Sequence, residues 1–389
     1  MLNFYIHKLK EKLHNHTYRQ TINTDCISST VVKRNKKKVV SFACNDYFGL
    51  SQNKKIKKSA IKAIKKYGVG ARASRFITGN NSLYDKLEKK IAQIKLTKDS
   101  LVFSSGYQAA IGVIPALVGK GDLIVADKLI HSSFIDAAKL SGARLLRFEH
   151  NDIDHAKKIL TKSRLEFSKC IILSETVFSM DGDLGKINEL LRLAIDYKAY
   201  LVSDAAHDLF INSPIIDENH IQMGTLSKGV GTFGGYVAGT KQIIDYLRNY
   251  SKSLIYSTAI PPAILSASIE SLNIIKKEHP GKHALDNAKY FLAKFDELKK
   301  LTSIKQYYLS TGIADSAIVP IIIGDDKKVV EISADIEKKG FLISAIRFPT
   351  VPKGTSRLRL TFSSEHSKKE IEKLVKALID VLVSKDVSE

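Results

Sequence analysis

Short apolar runs and amphipathic stretches alternate through the middle of this chain. The runs are SLVF (100–103), DLIVAD (122–127), ARLLRF (143–148), CIILSE (170–175), YLVSD (200–204), IQMGTLSK (221–228) and GGYVAGT (234–240). Between them lie segments with helical spacing, among them GYQAAIGVIPALV, SSFIDAAKLSG and KINELLRLAIDYK. Unbroken apolar runs separated by helices are what parallel strands buried on both faces require. The pattern therefore predicts an α/β fold: an open, mostly parallel sheet with helices on both sides. Upstream, Phe4, Ile6, Leu9 and Leu13 recur at helical spacing and predict an amphipathic helix over 1–20. VVSFACNDYFGL (39–50) predicts a strand and a turn at Asn45-Asp46; 52–67 predicts a basic helix ended by Gly68; 68–80 is a glycine-punctuated loop; 82–94 resumes helix. Pro261-Pro262 break the chain before a long helix over 263–278. From about 280 the pattern becomes mixed strands and helices, closing on the basic helix KKEIEKLVKALIDVLVS. The expected division is an N-terminal segment over 1–45 that packs with the small domain, a large domain over 46–279, and a smaller α+β C-terminal domain over 280–389.

Composition narrows the class. Hydrophobic residues make up 44% and charged residues 26% of 389, as in globular proteins. The net charge of +21 raises nucleic acid, anionic membrane and acidic metabolites as partners. Most of the excess is lysine scattered through helices, and the longest basic run, VVKRNKKKVV (31–40), has no interleaved aromatics. A solvated lysine-rich surface explains it, with attraction of a polyanionic substrate such as coenzyme A or an acidic carrier protein as the sharper alternative. Nucleic acid is not expected. Cys26, Cys44 and Cys170 fit no zinc spacing and leave an odd thiol, so reduced cysteines in a cytoplasm are expected. The N-terminus lacks an apolar signal region, and no stretch approaches the roughly 18 apolar residues that span a bilayer; no membrane is expected.

Candidate chemistry collects where ligands bind in such sheets, after the carboxyl ends of the strands. SLVF is followed by Ser104-Ser105-Gly106-Tyr107 opening a helix, DLIVAD by His131, CIILSE by Thr176 to Ser179, YLVS by Asp204 with His207 three residues on, and IQMG by Thr225 and Lys228. A helix start preceded by Ser and Gly suits a phosphate, with Thr225 and Ser104 or Ser105 as hydroxyl donors. A strand-end aspartate can hold a protonated ring nitrogen, a histidine can stack on a flat ring, and a crowded lysine can form a Schiff base. Together these describe pyridoxal phosphate. Each residue also has a plainer role: Asp204 and His131 as helix caps, His207 as a structural histidine, Ser179 as a turn residue. GVGTFG (229–234) matches a dinucleotide pattern but follows a lysine and opens no long helix, so its glycines are read as room for a close cofactor approach.

Several motifs in order carry a family resemblance: NDYFGL (45–50), GVGARASRFITGN (68–80), FSSGYQAA (103–110), IHSSFIDAAKLSGA (130–143), SETVFSMDGD (174–183), SDAAH (203–207), GTLSK (224–228), YSTAIPP (256–262) and IRFPTVPKGTSRLRL (346–360). Over Asn45 to Leu360, with a weaker start near Arg19, the chain resembles the α-oxoamine synthases, fold-type-I pyridoxal phosphate enzymes. The resemblance implies that Lys228 carries the cofactor and serves as general base, Asp204 pairs with the ring nitrogen, His207 bonds the ring oxygen with Ser179 beside it, and His131 stacks on the ring. It implies Ser105, Gly106, Tyr107 and Thr225 at the phosphate, and Ser257 and Thr258 reaching a neighbouring subunit's cofactor in a homodimer. Arg357 is the implied partner of the amino acid carboxylate, with Arg359 and Arg347 as rivals, and Arg19, Asn45, His131 and Thr350 as further substrate-side residues. The implied reaction condenses L-alanine with a pimeloyl thioester, carried by coenzyme A or a carrier protein, with loss of carbon dioxide. Sister synthases using glycine, serine or another acyl chain are the first alternative, and a non-catalytic basic protein on this fold the remote one. Departures stand at Ala205, where the family shows an acid, and at Asp208, where it shows glycine, so HDLFINSPI (207–215) is unlike the usual turn; Asn81 and Tyr84 replace a histidine-bearing loop.

Overall fold

All seven apolar runs become strands of one sheet: β1 (Asp99–Phe103), β2 (Leu123–Asp127), β3 (Arg144–Phe148), β4 (Cys170–Glu175), β5 (Tyr200–Asp204), β6 (His220–Thr225) and β7 (Gly235–Gly239). The computed structural model describes residues 1–14, 17–211, 216–302 and 314–386. Across the sheet the order is β1-β7-β6-β5-β4-β2-β3. All neighbours pair parallel except β7, which runs antiparallel to both β6 and β1. The chain from Thr225 to Gly235 is too short for a parallel crossover, which needs a dozen or more residues.

Alternation along the strands feeds two cores. Leu101, Phe103, Ile124, Ile171, Val202, Met223 and Val237 pack with the helices Gly106–Leu117, Ser132–Ser141 and Lys241–Tyr250. Leu123, Val125, Cys170, Ile172 and Leu201 face the helices Ile153–Ser163 and Ile187–Asp196. Further along this second face the strands bury polar groups instead: Ser203, His220 and Gln222, with the Ser203 hydroxyl 2.8 Å from His220 Nε2. Against them lies Lys95, the cap of helix Ser82–Ile94, only 3% exposed at its side chain and 2.6 Å from Asp208. Burial pulls the Lys95 ammonium down, but Asp208 and Tyr236 beside it outweigh this and raise its pKa. The departure at Asp208 thus supplies the anion that a buried lysine needs. Residues 212–215 of the segment 207–215 lie outside the described residues.

These strands belong to a unit made of Asp46–Ser179 and Asp183–Lys282; a second unit comprises Met1–Asn45, Met180–Gly182 and His283–Glu389. In the second unit, Thr24–Cys26, Val31–Arg34 and Lys37–Ser41 form an antiparallel ribbon joined in parallel by Phe341–Leu342. Ile318–Gly324, Ser356–Thr361 and Ser344–Ile346 form an antiparallel sheet. Phe42, Phe291, Phe362, Ile332, Leu374 and Leu378 are among its core. The N-terminal helix is shorter than its spacing predicts: it spans Leu2–His14 and buries no residue, and Thr17–Gln20 are not helical. The apolar repeat stops at Leu13, so nothing beyond it extends the stripe.

Two predictions follow from buried charges in the large unit. Asp208→Asn should cost roughly 3–5 kcal/mol, because it leaves the Lys95 ammonium buried and unpaired; Lys95→Met should cost less, since the Asp208 side chain is 23% exposed and can turn to water, and the double variant should lose less than Asp208→Asn alone; chemical denaturation of the four proteins measures this. His150 lies 3.1 Å from Asp127 and 2.8 Å from Asp183. Burial opposes its charging, yet the two carboxylates prevail and push its pKa up to about 10. Between the ordinary histidine value and about 10 the folded state holds the extra proton, so this contribution is complete below that window and is lost as pH rises through it. His150→Gln should therefore narrow the stability difference between pH 6 and pH 10, read from thermal midpoints.

Candidate active site

Strand register brings the first pair of groups together. On parallel neighbours β4 and β5, Glu175 stands opposite Asp204, so two carboxyls end at one edge of the sheet. Burial raises the pKa of Glu175 well above its usual range, and Asp204 adds to the effect. Burial also raises Asp204, opposed by Lys228 and then His131. Asp204 Oδ1 accepts the Ala206 N–H at 2.9 Å, which fixes the carboxylate on its own turn. The Glu175 Oε1 is buried and hydrogen-bonds nothing among the described residues.

Lys228 follows β6. Its Nζ lies 2.7 Å from His207 Nε2, and His207 Nδ1 lies 2.6 Å from the Tyr47 hydroxyl. With the ammonium donating, Nε2 accepts and Nδ1–H donates to Tyr47. Tyr47 is 1% exposed, and its turn is fastened by Asp46, which accepts the Leu50 and Ser51 N–H groups at 3.0 Å each. His131 takes the capping role: Nδ1 accepts the Ser133 N–H at 3.2 Å at the start of helix Ser132–Ser141. Its pKa is lowered, chiefly by burial, with Asp204 opposing and Lys228 reinforcing.

An anion-shaped corner forms where β7 separates β1 from β6. Gly235 pairs with Phe103 on one side and Thr225 on the other. Having no side chain there lets the two flanking strand ends converge: a Cβ on Gly235 would sit 2.4 Å from the Ser105 carbonyl, and one on Gly106 2.6 Å from Thr225 Cγ2. Ser105 caps the helix Gly106–Leu117 by accepting the Gln108 N–H at 3.1 Å, leaving backbone N–H groups of the first turn without intrahelical partners. The Thr225 hydroxyl is buried with no hydrogen-bond partner among the described residues. The Tyr107 hydroxyl instead donates to Asp136 at 2.8 Å on an exposed surface.

The glycines after Lys228 serve a different end from the expected cofactor approach. A Cβ on Gly229 would fall 2.8 Å from the Phe48 ring, and one on Gly231, whose φ is +70°, 2.7 Å from the Ser51 N. They make room for residues 48–51 of the chain itself. Ser179 lies in a turn closed by Phe178 N–H donating to Asp183 O at 3.0 Å. Ser257 and Thr258 line a small cavity with Arg75 and Tyr84. There Arg75 pairs with Glu88 at 2.6 Å and lies 3.9 Å over the Tyr84 ring, while the Tyr84 hydroxyl accepts the Ile260 N–H at 2.6 Å. Tyr84, a departure from the resemblance, is thus a buried support of the chain that carries Ser257 and Thr258.

In the smaller unit, Arg357 and Arg359 alternate on strand Ser356–Thr361 and are each 5% exposed. Arg359 donates from both Nη atoms to Asn45 Oδ1 at 3.3 Å. Arg357 donates from Nε to Thr355 O at 3.0 Å and from Nη1 to Asp181. Arg19 Nη2 donates to Thr350 Oγ1 at 3.4 Å, and Arg347 Nη2 to Tyr18 O at 3.2 Å. Asn45 therefore partners the rival Arg359, and Arg19 and Thr350 form a separate pair.

Residues 37–378 match the family described as aminotransferase class I and II. An 8-amino-7-oxononanoate synthase of Methylobacterium sp. (strain 4-46) is 39% identical, covering 93% of this chain and 92% of that one. The 8-amino-7-oxononanoate synthase of Thermoanaerobacter pseudethanolicus is 36% identical, covering 97% and 96%. Among solved structures, serine palmitoyltransferase from S. paucimobilis with bound PLP-myriocin aldimine superposes with a TM-score of 0.89 at 23% identity, covering 98% of each chain. The chain belongs to the aminotransferase class I and II family. The fold-type-I architecture expected of that family is the one observed.

The residues present fit pyridoxal phosphate on structural grounds. The unpartnered Thr225 hydroxyl, the bare Gly106 and Gly235 and the helix start offer an anion donors at one end. Asp204 and Glu175 offer a cationic ring N–H a carboxylate at the other. Two contributors escaped the sequence reading: Glu175, visible only as a second acid ending an apolar run, and Tyr47, one residue past the expected turn. Thr225→Val should leave the cofactor-free protein equally stable or slightly more so, since it removes a buried hydroxyl without a partner. It should also weaken the stabilisation given by added inorganic phosphate, and thermal midpoints with and without phosphate test both halves.

Proposed function

We propose that this family member is a pyridoxal phosphate-dependent acyltransferase that condenses L-alanine with a pimeloyl thioester, releasing carbon dioxide and thiol, to give 8-amino-7-oxononanoate for biotin synthesis. The observation that carries the proposal is Lys228, held 2.7 Å from His207 beside the strand-end carboxylate of Asp204. The relatives of 36–39% identity that bear this enzyme's name support the choice of substrates. The thioester arrives on coenzyme A or on a carrier protein, and the surplus of basic residues favours either polyanion.

The cofactor, when bound, supplies an electron sink for the charge left on Cα of the amino acid. The rest falls to the protein. Ser105, Gly106, Tyr107 and Thr225 would hold its phosphate, and Asp204 would keep its ring nitrogen protonated. His207 and Ser179 would serve its ring oxygen, and His131 its ring face, while His131 caps its own helix. Lys228 takes the Cα proton as general base, oriented by His207, whose ring Tyr47 holds in place. Arg357 receives the amino acid carboxylate, and Arg19, Asn45 and Thr350 shape the substrate side. The working form is a cytoplasmic homodimer in which Ser257 and Thr258 serve the phosphate of the other subunit. Cys26, Cys44 and Cys170 form no disulfide among the described residues.

Purified protein should be yellow, and borohydride should fix the cofactor to Lys228. With L-alanine and pimeloyl-CoA it should yield a product of the mass of 8-amino-7-oxononanoate, and glycine or serine should give far less condensation. Lys228→Ala should lower turnover by roughly a thousandfold or more. Undiminished turnover in that variant, or preference for serine, would overturn the assignment.

A further inference from the structure

Arg357 has five N–H donors and almost no water around it, being 5% exposed. Its Nε donates to Thr355 O at 3.0 Å, and its Nη1 to Asp181 Oδ1 with a weaker contact to Met180 O at 3.4 Å. Nη2 takes no part in these bonds. Asp181 is no mobile surface acid. It belongs to Met180–Gly182, the three residues that fold with the smaller unit although they interrupt the larger one in sequence. That turn is built tightly: Gly182 has φ +75°, its carbonyl accepts the Ser316 hydroxyl at 2.7 Å, and a Cβ there would fall 2.3 Å from Ile318 O. Ile318 lies on the strand paired with the one that carries Arg357.

We propose that Asp181 is the positioning residue for Arg357, pinning Nη1 so that Nη2 is presented to the carboxylate of the amino acid substrate. This rests on the proposal that Arg357 receives that carboxylate. The guanidinium is a rigid planar fork, so fixing one prong and Nε fixes the direction of the other. A buried arginine also needs a counter-charge to stay in place before substrate arrives, and a carboxylate on the Nη1 edge gives it one without covering Nη2. The ligand then meets an oriented donor and loses less binding energy to ordering it.

The test uses the cofactor-loaded enzyme and follows ligand binding by the change in cofactor absorbance, with no turnover required. L-alanine is compared with L-alaninamide, which lacks the carboxylate. Asp181→Ala should weaken L-alanine about tenfold and leave L-alaninamide within about twofold, since only the carboxylate reads the oriented guanidinium. Asp181→Ser, too short to reach Nη1, should behave likewise and serves if the alanine variant does not fold. Asp181→Asn, which keeps an acceptor, should recover most of the loss. Equal weakening of both ligands would mark Asp181 as merely structural and overturn the proposal. So would tighter L-alanine binding in Asp181→Ala, which would show Asp181 occupying the substrate's place. Arg357→Ala separates the two levels. If it leaves L-alanine binding intact, the carboxylate role of Arg357 fails; if it abolishes binding while the Asp181 variants do not, only the role of Asp181 fails.

Discussion

Two carboxyls at the ends of adjacent parallel strands cannot both stay ionised away from water without a cation between or beside them. That constraint organises the large unit's edge. Register places Glu175 against Asp204, burial raises both, and the lysine after β6 opposes the rise at both. An environment of this kind accepts a positively charged ring nitrogen more readily than bulk water does. It also explains why Lys228 is braced by His207 and Tyr47: a charge that balances two acids must be kept from wandering.

The opposite end of the site is built by subtraction. The antiparallel strand β7 enters the sheet between the strands that lead to Ser105 and to Thr225, and it does so with a glycine. A side chain at 106 or 235 would collide with Thr225 or with the Ser105 backbone. Donors from two separate strand ends therefore converge on one small volume. Sheet topology and glycine placement are one device here, since the antiparallel sense puts the first residue of β7, Gly235, beside the last residues of β1 and β6.

Much of this was legible in the chain because strand ends are legible. Apolar runs mark the strands, and the polar residue after each run is forced to one edge. Lys228, Asp204, His207, His131, Thr225 and Ser105 are all legible that way: Asp204 and Thr225 close their strands, and Ser105, His131, His207 and Lys228 follow theirs. What was not legible depends on relations between segments. Glu175 matters through its register with Asp204, and Tyr47 through a bond to a residue 160 positions away. The choice between Arg357 and Arg359 cannot be made from alternation, because both lie on one face, and their different partners, Asp181 and Asn45, depend on contacts distant in sequence. The direction of β7 is carried not by its apolar run but by the short connection from Thr225 to Gly235. The glycines after Lys228 were misjudged for a similar cause: the space they leave is taken by Phe48 and Ser51, far away in sequence.

The buried pair of Lys95 and Asp208 has an evolutionary corollary. The buried lysine is costly without its acid, so Asp208 cannot drift away while Lys95 stays, whereas the part-exposed acid can stand alone. Ala205 lines one cavity with Lys95 and Asp208. A sequence that carried a second acid within reach of the ammonium could exchange it for Asp208 while the lysine never stood alone.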